Sequence, residues 1–207
     1  MLDTLSKSLV QDPDTVLVVC GAGFSSYPWL LPFSAALEVD LPDIVSAKRR
    51  RAAQLVATGV IEERNVQHLA LDLDTTAGRR QLVERAREVA DGRPVALVVE
   101  GLIFYLSPDA ARAMAHLGVS LATQTLSVVS YWPAAAADNR VLDAQRRWFR
   151  RRSVPEDSTY LTSEAIASLL SGQLQDHGPE DLQRQYLGEV VVPETDLIPE
   201  YVAVAVA

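Results

Sequence analysis

The chain is predicted to fold as a doubly wound α/β structure around a mostly parallel sheet. Three observations lead there. Short β-branched runs alternate with longer stretches of helical period, as in parallel sheets with helices on both faces. The first five of those runs are each apolar enough to be buried on both sides, as parallel strands are. The last two are separated by only a short polar link, so they can pair antiparallel.

In chain order, the candidate strands are residues 16–20, 35–39, 66–71, 94–99 and 125–131. Residues 189–192 and 201–207 follow, joined through P-E-T-D-L-I-P-E without a crossover helix, and would complete a seven-stranded sheet. Helical periodicity covers residues 41–58, 76–91 and 108–121, the last with Ser107 as its N-cap. Two further helices are expected at 138–152 and 162–170, the first carrying Trp148 and Phe149 in a helical flap around 133–170.

Nearly half of the 207 residues are hydrophobic, so one domain over 1–207 has the apolar content for a single core. A net charge of −8 argues against binding to a phosphate backbone, which rests on clustered Lys and Arg. The basic runs Lys48 through Arg51 and Arg146 through Arg152 are local exceptions, read as solvated helix faces, with anion or substrate contact as the alternative. The single Cys20 has no disulfide partner and no neighbouring thiol to share a metal; it is read as a small buried hydrophobe. No run approaches the roughly twenty apolar residues of a membrane span, and the first ten residues lack a secretion-signal layout. A cytoplasmic location is therefore expected.

The strongest local feature is V-L-V-V-C-G-A-G-F at 16–24, where a buried strand runs into Gly21, Ala22 and Gly23. Glycines there let a backbone approach a ligand closely, although tight strand-to-helix turns use them for steric reasons as well. Seventeen and nineteen residues past Gly21 stand Glu38 and Asp40 in L-E-V-D, where a carboxylate can accept both hydroxyls of a ribose. Asp72 in A-L-D-L-D and Glu100 in V-V-E-G fall at the next two strand ends. Ligands of open α/β sheets bind outside the carboxyl ends of the strands, so these acids converge on one crevice.

G-A-G-F, then L-E-V-D-L-P-D-I-V-S-A-K-R, then L-A-L-D-L-D, then V-V-E-G-L-I-F-Y-L-S-P-D-A-A resembles the leucine carboxyl methyltransferase family, whose bacterial branch includes polyketide O-methyltransferases. The likeness covers about residues 16–132. It implies a class I, Rossmann-like methyltransferase fold and S-adenosylmethionine as cofactor. By that likeness, Gly21 lies against the methionine part, Asp40 binds the ribose with Glu38 as its supporting neighbour, Asp72 and Leu73 frame the adenine, and Glu100 sits near the cofactor's amino group. Tyr105 would begin the helix bordering the active site, or serve as a packing aromatic.

Two departures stand out. Ser25-Ser26-Tyr27 replaces the D-T-R that follows the glycine turn in the family, removing an arginine that supports the loop. About fifteen residues precede Val16 where the family carries several helices, so another part of the chain or a second subunit, as in a homodimer, is expected to wall the site.

Methyl transfer from a sulfonium is an in-line displacement that asks the protein for alignment and exclusion of water, not for a metal. A carboxylate acceptor needs no base, whereas an alcohol or phenol does. His68, within a strand, and His116, within a helix, read as structural, and His177 as an exposed loop residue, so no catalytic base is assigned. Tyr131 and Trp132, at the end of the fifth strand, are the substrate-contact candidates, with core packing as the alternative. The expected acceptor is a small molecule of bacterial specialised metabolism. Competing readings are a methyltransferase-like protein that binds cofactor or a partner without methyl transfer, and an NAD-dependent dehydrogenase. The latter fits less well, because Ser26 stands at the third glycine position and no Tyr-x-x-x-Lys pair is present.

Overall fold

The computed structural model describes residues 1–122, 124–150 and 158–206. Its elements are α1 (Leu2–Gln11), β1 (Val16–Cys20), α2 (Tyr27–Leu30), β2 (Ala36–Asp40), α3 (Pro42–Ala57), β3 (Val66–Ala70), α4 (Thr76–Ala90), β4 (Val95–Val99), α5 (Pro108–Ala115), β5 (Thr125–Tyr131), α6 (Arg140–Arg150), α7 (Ser163–Leu169), β6 (Gln173–His177), α8 (Pro179–Leu187) and β7 (Tyr201–Val206). Arg151, Arg152 and Ala207, which the sequence assigns to a helix and a strand, lie outside the described residues, as do the side chains of Phe149 and Arg150.

The sheet has seven strands in the order β3-β2-β1-β4-β5-β7-β6, parallel except for β7, which runs antiparallel to both neighbours. Val, Leu and Ala, with Cys20 at the end of β1, fill β1 and β4, and every residue of both strands is buried, which is why these runs are apolar without alternation. One face of the sheet is covered by α4, α5 and α7 through Leu82, Ala86, Met114 and Ile166. The other receives α1 through Leu5 and Leu9, which pack on Leu17, Val19 and Val98. The helices α3, α5 and α8 each carry proline in the first turn, where its missing N–H costs nothing. Thr75 caps α4 by accepting the Gly78 amide at 3.0 Å.

The first five strands, α3 and α4 lie within a residue or two of expectation; the helix expected over 108–121 ends at Ala115 and passes into a 3-10 turn at Leu117–Ser120, and the carboxyl-terminal third needs correction. The first member of the antiparallel pair is β6, not 189–192. Residues 173–177 read Gln-Leu-Gln-Asp-His, too polar to signal a strand, because β6 is the sheet edge and only Leu174 packs against the core cluster. The apolar run at 190–192 is instead held by one side chain. Gln183 on α8 accepts the Val191 and Val192 amides at 2.9 and 2.8 Å and donates to the Val192 carbonyl at 2.7 Å, satisfying backbone groups a neighbouring strand would otherwise satisfy. A helix, α8, therefore intervenes between β6 and β7. Helix α1 was also unread, although Leu2, Leu5 and Leu9 give it a helical stripe.

Residues 132–142 are anchored to the end of β4. Phe104 and Trp132 stack at 4.0 Å between ring centroids, and Ala136 and Leu142 close over them. Arg146 on α6 reaches back to the Tyr160 hydroxyl and the Ala137 carbonyl, both at 2.5 Å. Asn139 ties the start of α6 to the Glu194 and Leu197 carbonyls.

Candidate functional site

The chain leaves β1 outward to β2 and β3, then returns to build β4 and β5 on the other side, so the topological switch point lies between β1 and β4. Cys20 and Val99 are register partners at the ends of those strands, which sets Gly21 and Glu100 side by side. The two glycines of the turn have φ of +67° and +44°, a conformation that side chains adopt poorly. A Cβ on Gly21 would also come within 3.0 Å of Leu102, whereas one on Gly23 would meet nothing nearer than 4.0 Å. The turn is thus tight behind Gly21 and open in front of Gly23.

Its position is fixed from β2. The Gly21 and Ala22 amides both donate to the Val39 carbonyl, at 2.9 and 3.1 Å. Gly23 donates to Asp40 Oδ2 at 2.7 Å, and Leu41 donates to Asp40 Oδ1 at 2.7 Å. Asp40 therefore stands at the mouth of the turn. Asp72, exposed, closes its own turn by accepting the Asp74 amide at 2.9 Å. Asp74 in turn accepts the backbone and hydroxyl of Ser107 at 2.8 and 2.7 Å, which holds its carboxyl below the usual carboxylate range. Ser107 is the N-cap residue of α5, but this bond occupies its side chain in place of a capping bond.

Glu100 accepts the phenol of Tyr27 at 2.5 Å. Burial, with Glu100 adding to it, pushes that phenol well above its ordinary value. Next to Glu100, Gly101 donates to Ser130 Oγ at 2.9 Å. Because β7 is antiparallel, its beginning lies at the carboxyl end of β5, with Tyr201 opposite Tyr131, and this places Glu200 beside Ser130. Burial raises the Glu200 pKa, the Glu100 charge raises it further, and a Ser130 hydrogen bond opposes both. Tyr27, Glu100, Ser130, His177, Tyr186 and Glu200 line one cleft of about 910 Å3 between α1 and α8.

Several expected site residues are placed elsewhere. Glu38 is 1% exposed and turned away from the crevice, its Oε1 accepting Lys48 Nζ at 2.7 Å and its Oε2 facing His68 Nε2 at 3.3 Å. Lys48, expected on a solvated face, is itself buried, whereas Arg49, Arg50 and Arg51 are exposed. Leu73 packs its side chain into the core, which confines any part it plays at the crevice to its backbone. Tyr131 is fully buried on the opposite face, bonded to Asp176 at 2.6 Å and Ser163 at 3.0 Å, because strand alternation sends it away from Ser130. Trp132 is committed to the Phe104 stack. Tyr105 is exposed and within electrostatic reach of Glu200. His116 donates from Nδ1 to the Leu169 carbonyl at 2.8 Å, as a structural residue would. His177 ends β6 at the cleft and is not a loop residue. Tyr27, Ser130 and Glu200 carry no motif of their own, and the interruption of D-T-R at Tyr27 is their one signal; Lys48 stands in the L-E-V-D-L-P-D-I-V-S-A-K-R run without its role being readable there.

A mixed sheet in the order 3-2-1-4-5-7-6, helices on both faces and a crevice at the β1/β4 switch point together define the class I methyltransferase fold. The chain belongs to the leucine carboxyl methyltransferase family, whose profile residues 1–117 match. No curated protein matches it in sequence. Among solved structures it is similar to a DUF574 family protein from Streptomyces avermitilis, at 18% identity and a TM-score of 0.67 over 99% of this chain and 79% of that one. It is also similar to magnesium protoporphyrin IX methyltransferase from Synechocystis with bound SAH, at 12% identity, TM-score 0.57, 98% of this chain and 80% of that one. A geranyl diphosphate C-methyltransferase from Streptomyces coelicolor matches at 11% identity, TM-score 0.51, 99% of this chain and 78% of that one. No helix among the described residues is long and apolar enough to cross a membrane.

Proposed function

We propose that the chain binds S-adenosylmethionine at the carboxyl ends of β1, β2 and β4 and transfers its methyl group to a carboxylate or hydroxyl oxygen of a small molecule, in bacterial specialised metabolism. The observation that carries this reading is the Asp40 carboxylate held at the mouth of the glycine turn, bonded to Gly23 and Leu41. The donor set fits the cofactor. Asp40 offers oxygens for a ribose, the exposed Asp72 would frame the adenine, and Glu100 offers a carboxylate to an amino group. The open side of Gly23 leaves room for a ligand.

The bound sulfonium would supply an activated methyl group, and the chain's own residues position and desolvate its surroundings. Glu100, oriented by Tyr27, and Glu200, beside Ser130, place negative potential along the cleft, which favours a cation there. Structures with this fold include a magnesium protoporphyrin IX methyltransferase and a geranyl diphosphate C-methyltransferase, so the oxygen acceptor rests on the family likeness and not on the fold.

Calorimetric titration of the protein with S-adenosylmethionine and, separately, with NAD tests the proposal, repeated on Asp40→Ala and Asp72→Ala. Micromolar binding of the sulfonium alone, lost in both variants, is the expected result. Binding of NAD, or of neither ligand, overturns it.

A further inference from the structure

The family's supporting arginine is missing after the glycine turn, yet the turn is not left unsupported. Lys48 lies on the inward face of α3, 5% exposed, three residues from the buried Val45. Its ammonium donates to Glu38 Oε1 at 2.7 Å, to the Ala22 carbonyl at 3.2 Å and to Ser25 Oγ at 3.3 Å. These contacts run from the floor of β2, through α3, to the underside of the loop whose other side faces the crevice. Beside Lys48 the loop and α3 line an open recess of about 100 Å3 with Phe24, Trp29, Leu55 and Ile61.

A buried ion pair is a poor source of stability, because removing two charges from water costs as much as their attraction returns. Burial lowers the Lys48 pKa even with Glu38 alongside, so desolvation outweighs the pair's attraction. Such a pair does more to fix a geometry than to raise stability. Here the geometry fixed is that of Ala22 and Ser25, on either side of Gly23.

We propose that Lys48 is a positioning residue for the glycine turn, a strut seated on Glu38 that holds Ala22 and Ser25 in the conformation presented to the cofactor. It acts through the loop and touches no ligand. The cofactor arm of this inference rests on the reading given under Proposed function, whereas the loop arm stands without it.

The pair can be replaced by apolar residues of similar size, so the test is the double variant Glu38→Leu/Lys48→Met, compared with Lys48→Met alone. The single variant leaves Glu38 buried with only His68 beside it and is expected to lose stability. The double variant is expected to keep its melting temperature, while amides of the 21–26 segment exchange with deuterium about tenfold faster and those of β4 stay protected. The dissociation constant for S-adenosylhomocysteine should rise by about tenfold, the equivalent of one lost hydrogen bond's worth of positioning. Native exchange in the loop of a folded double variant overturns the proposal. If the unmodified protein binds no S-adenosylhomocysteine, the cofactor reading fails, and Lys48 is judged by the exchange experiment alone.

Discussion

The hydroxyl of Tyr27 donates to Glu100 Oε2 at 2.5 Å, joining the short helix after the glycine turn to the end of β4 across 73 residues of sequence. This bond orients the carboxylate that faces the cleft and leaves Oε1 open to a second donor. Tyr27→Phe keeps the ring and removes the bond. It should lower stability by about 1 kcal/mol, as typical for one hydrogen bond, and weaken S-adenosylmethionine binding several-fold. Paired calorimetry and thermal melts check this; unchanged affinity would show that Glu100 is oriented by other contacts.

Glu200 is held at a cost in the free protein. Its folded pKa is raised by burial and by Glu100, so the unfolded chain gives up this proton first as pH rises. Its contribution to stability is therefore lost between the usual carboxylate value and the raised folded one, and at neutral pH the ionised group is destabilising. Glu200→Gln should raise the melting temperature at pH 7 more than at pH 4, and weaken binding of the sulfonium cofactor at pH 7. A variant that stabilises equally at both pH values contradicts the assignment.

Tyr131 and Tyr27 set an alkaline limit. Burial pushes both phenols well above their usual value near 10, and hydrogen bonds to Asp176 and Glu100 push them further. The unfolded chain loses these protons first, so the stabilisation is complete below pH about 10 and falls as pH rises above it. Denaturant midpoints measured between pH 8 and 11 should show the decline, and Tyr131→Phe should flatten part of it.

Gly78 tests the packing of the Asp72 turn. A Cβ there would lie 2.1 Å from the Asp72 carbonyl oxygen, a backbone atom with little room to move. Alanine gains about 1 kcal/mol of helix propensity, but overpacking of this kind costs about 1–3 kcal/mol, and a backbone clash lies toward the upper end. Gly78→Ala should therefore be net destabilising in chemical denaturation and should weaken cofactor binding by displacing Asp72.

The parallel core was legible because strands buried on both faces are rich in apolar residues without alternation, as β1 and β4 are. The glycine turn, Asp40, Asp72 and Glu100 were legible for a related reason: a crevice at strand ends takes its residues from the positions right after each parallel strand. Two things escaped that logic. An edge strand needs few apolar residues, so β6 was silent while the apolar 190–192 segment misled, its backbone being satisfied by the Gln183 side chain. An antiparallel strand brings its beginning to the crevice, so Glu200 precedes β7 instead of following it. The pairing of Tyr27 with Glu100, 73 residues apart, leaves no local pattern either. The sequence by itself determined the parallel half of the sheet and the acids at its strand ends, since burial and strand direction act locally there. The tertiary structure alone decided which of those acids faces the crevice, because a buried Glu38 and an accessible Asp40 differ in what packs against them and not in the residues beside them.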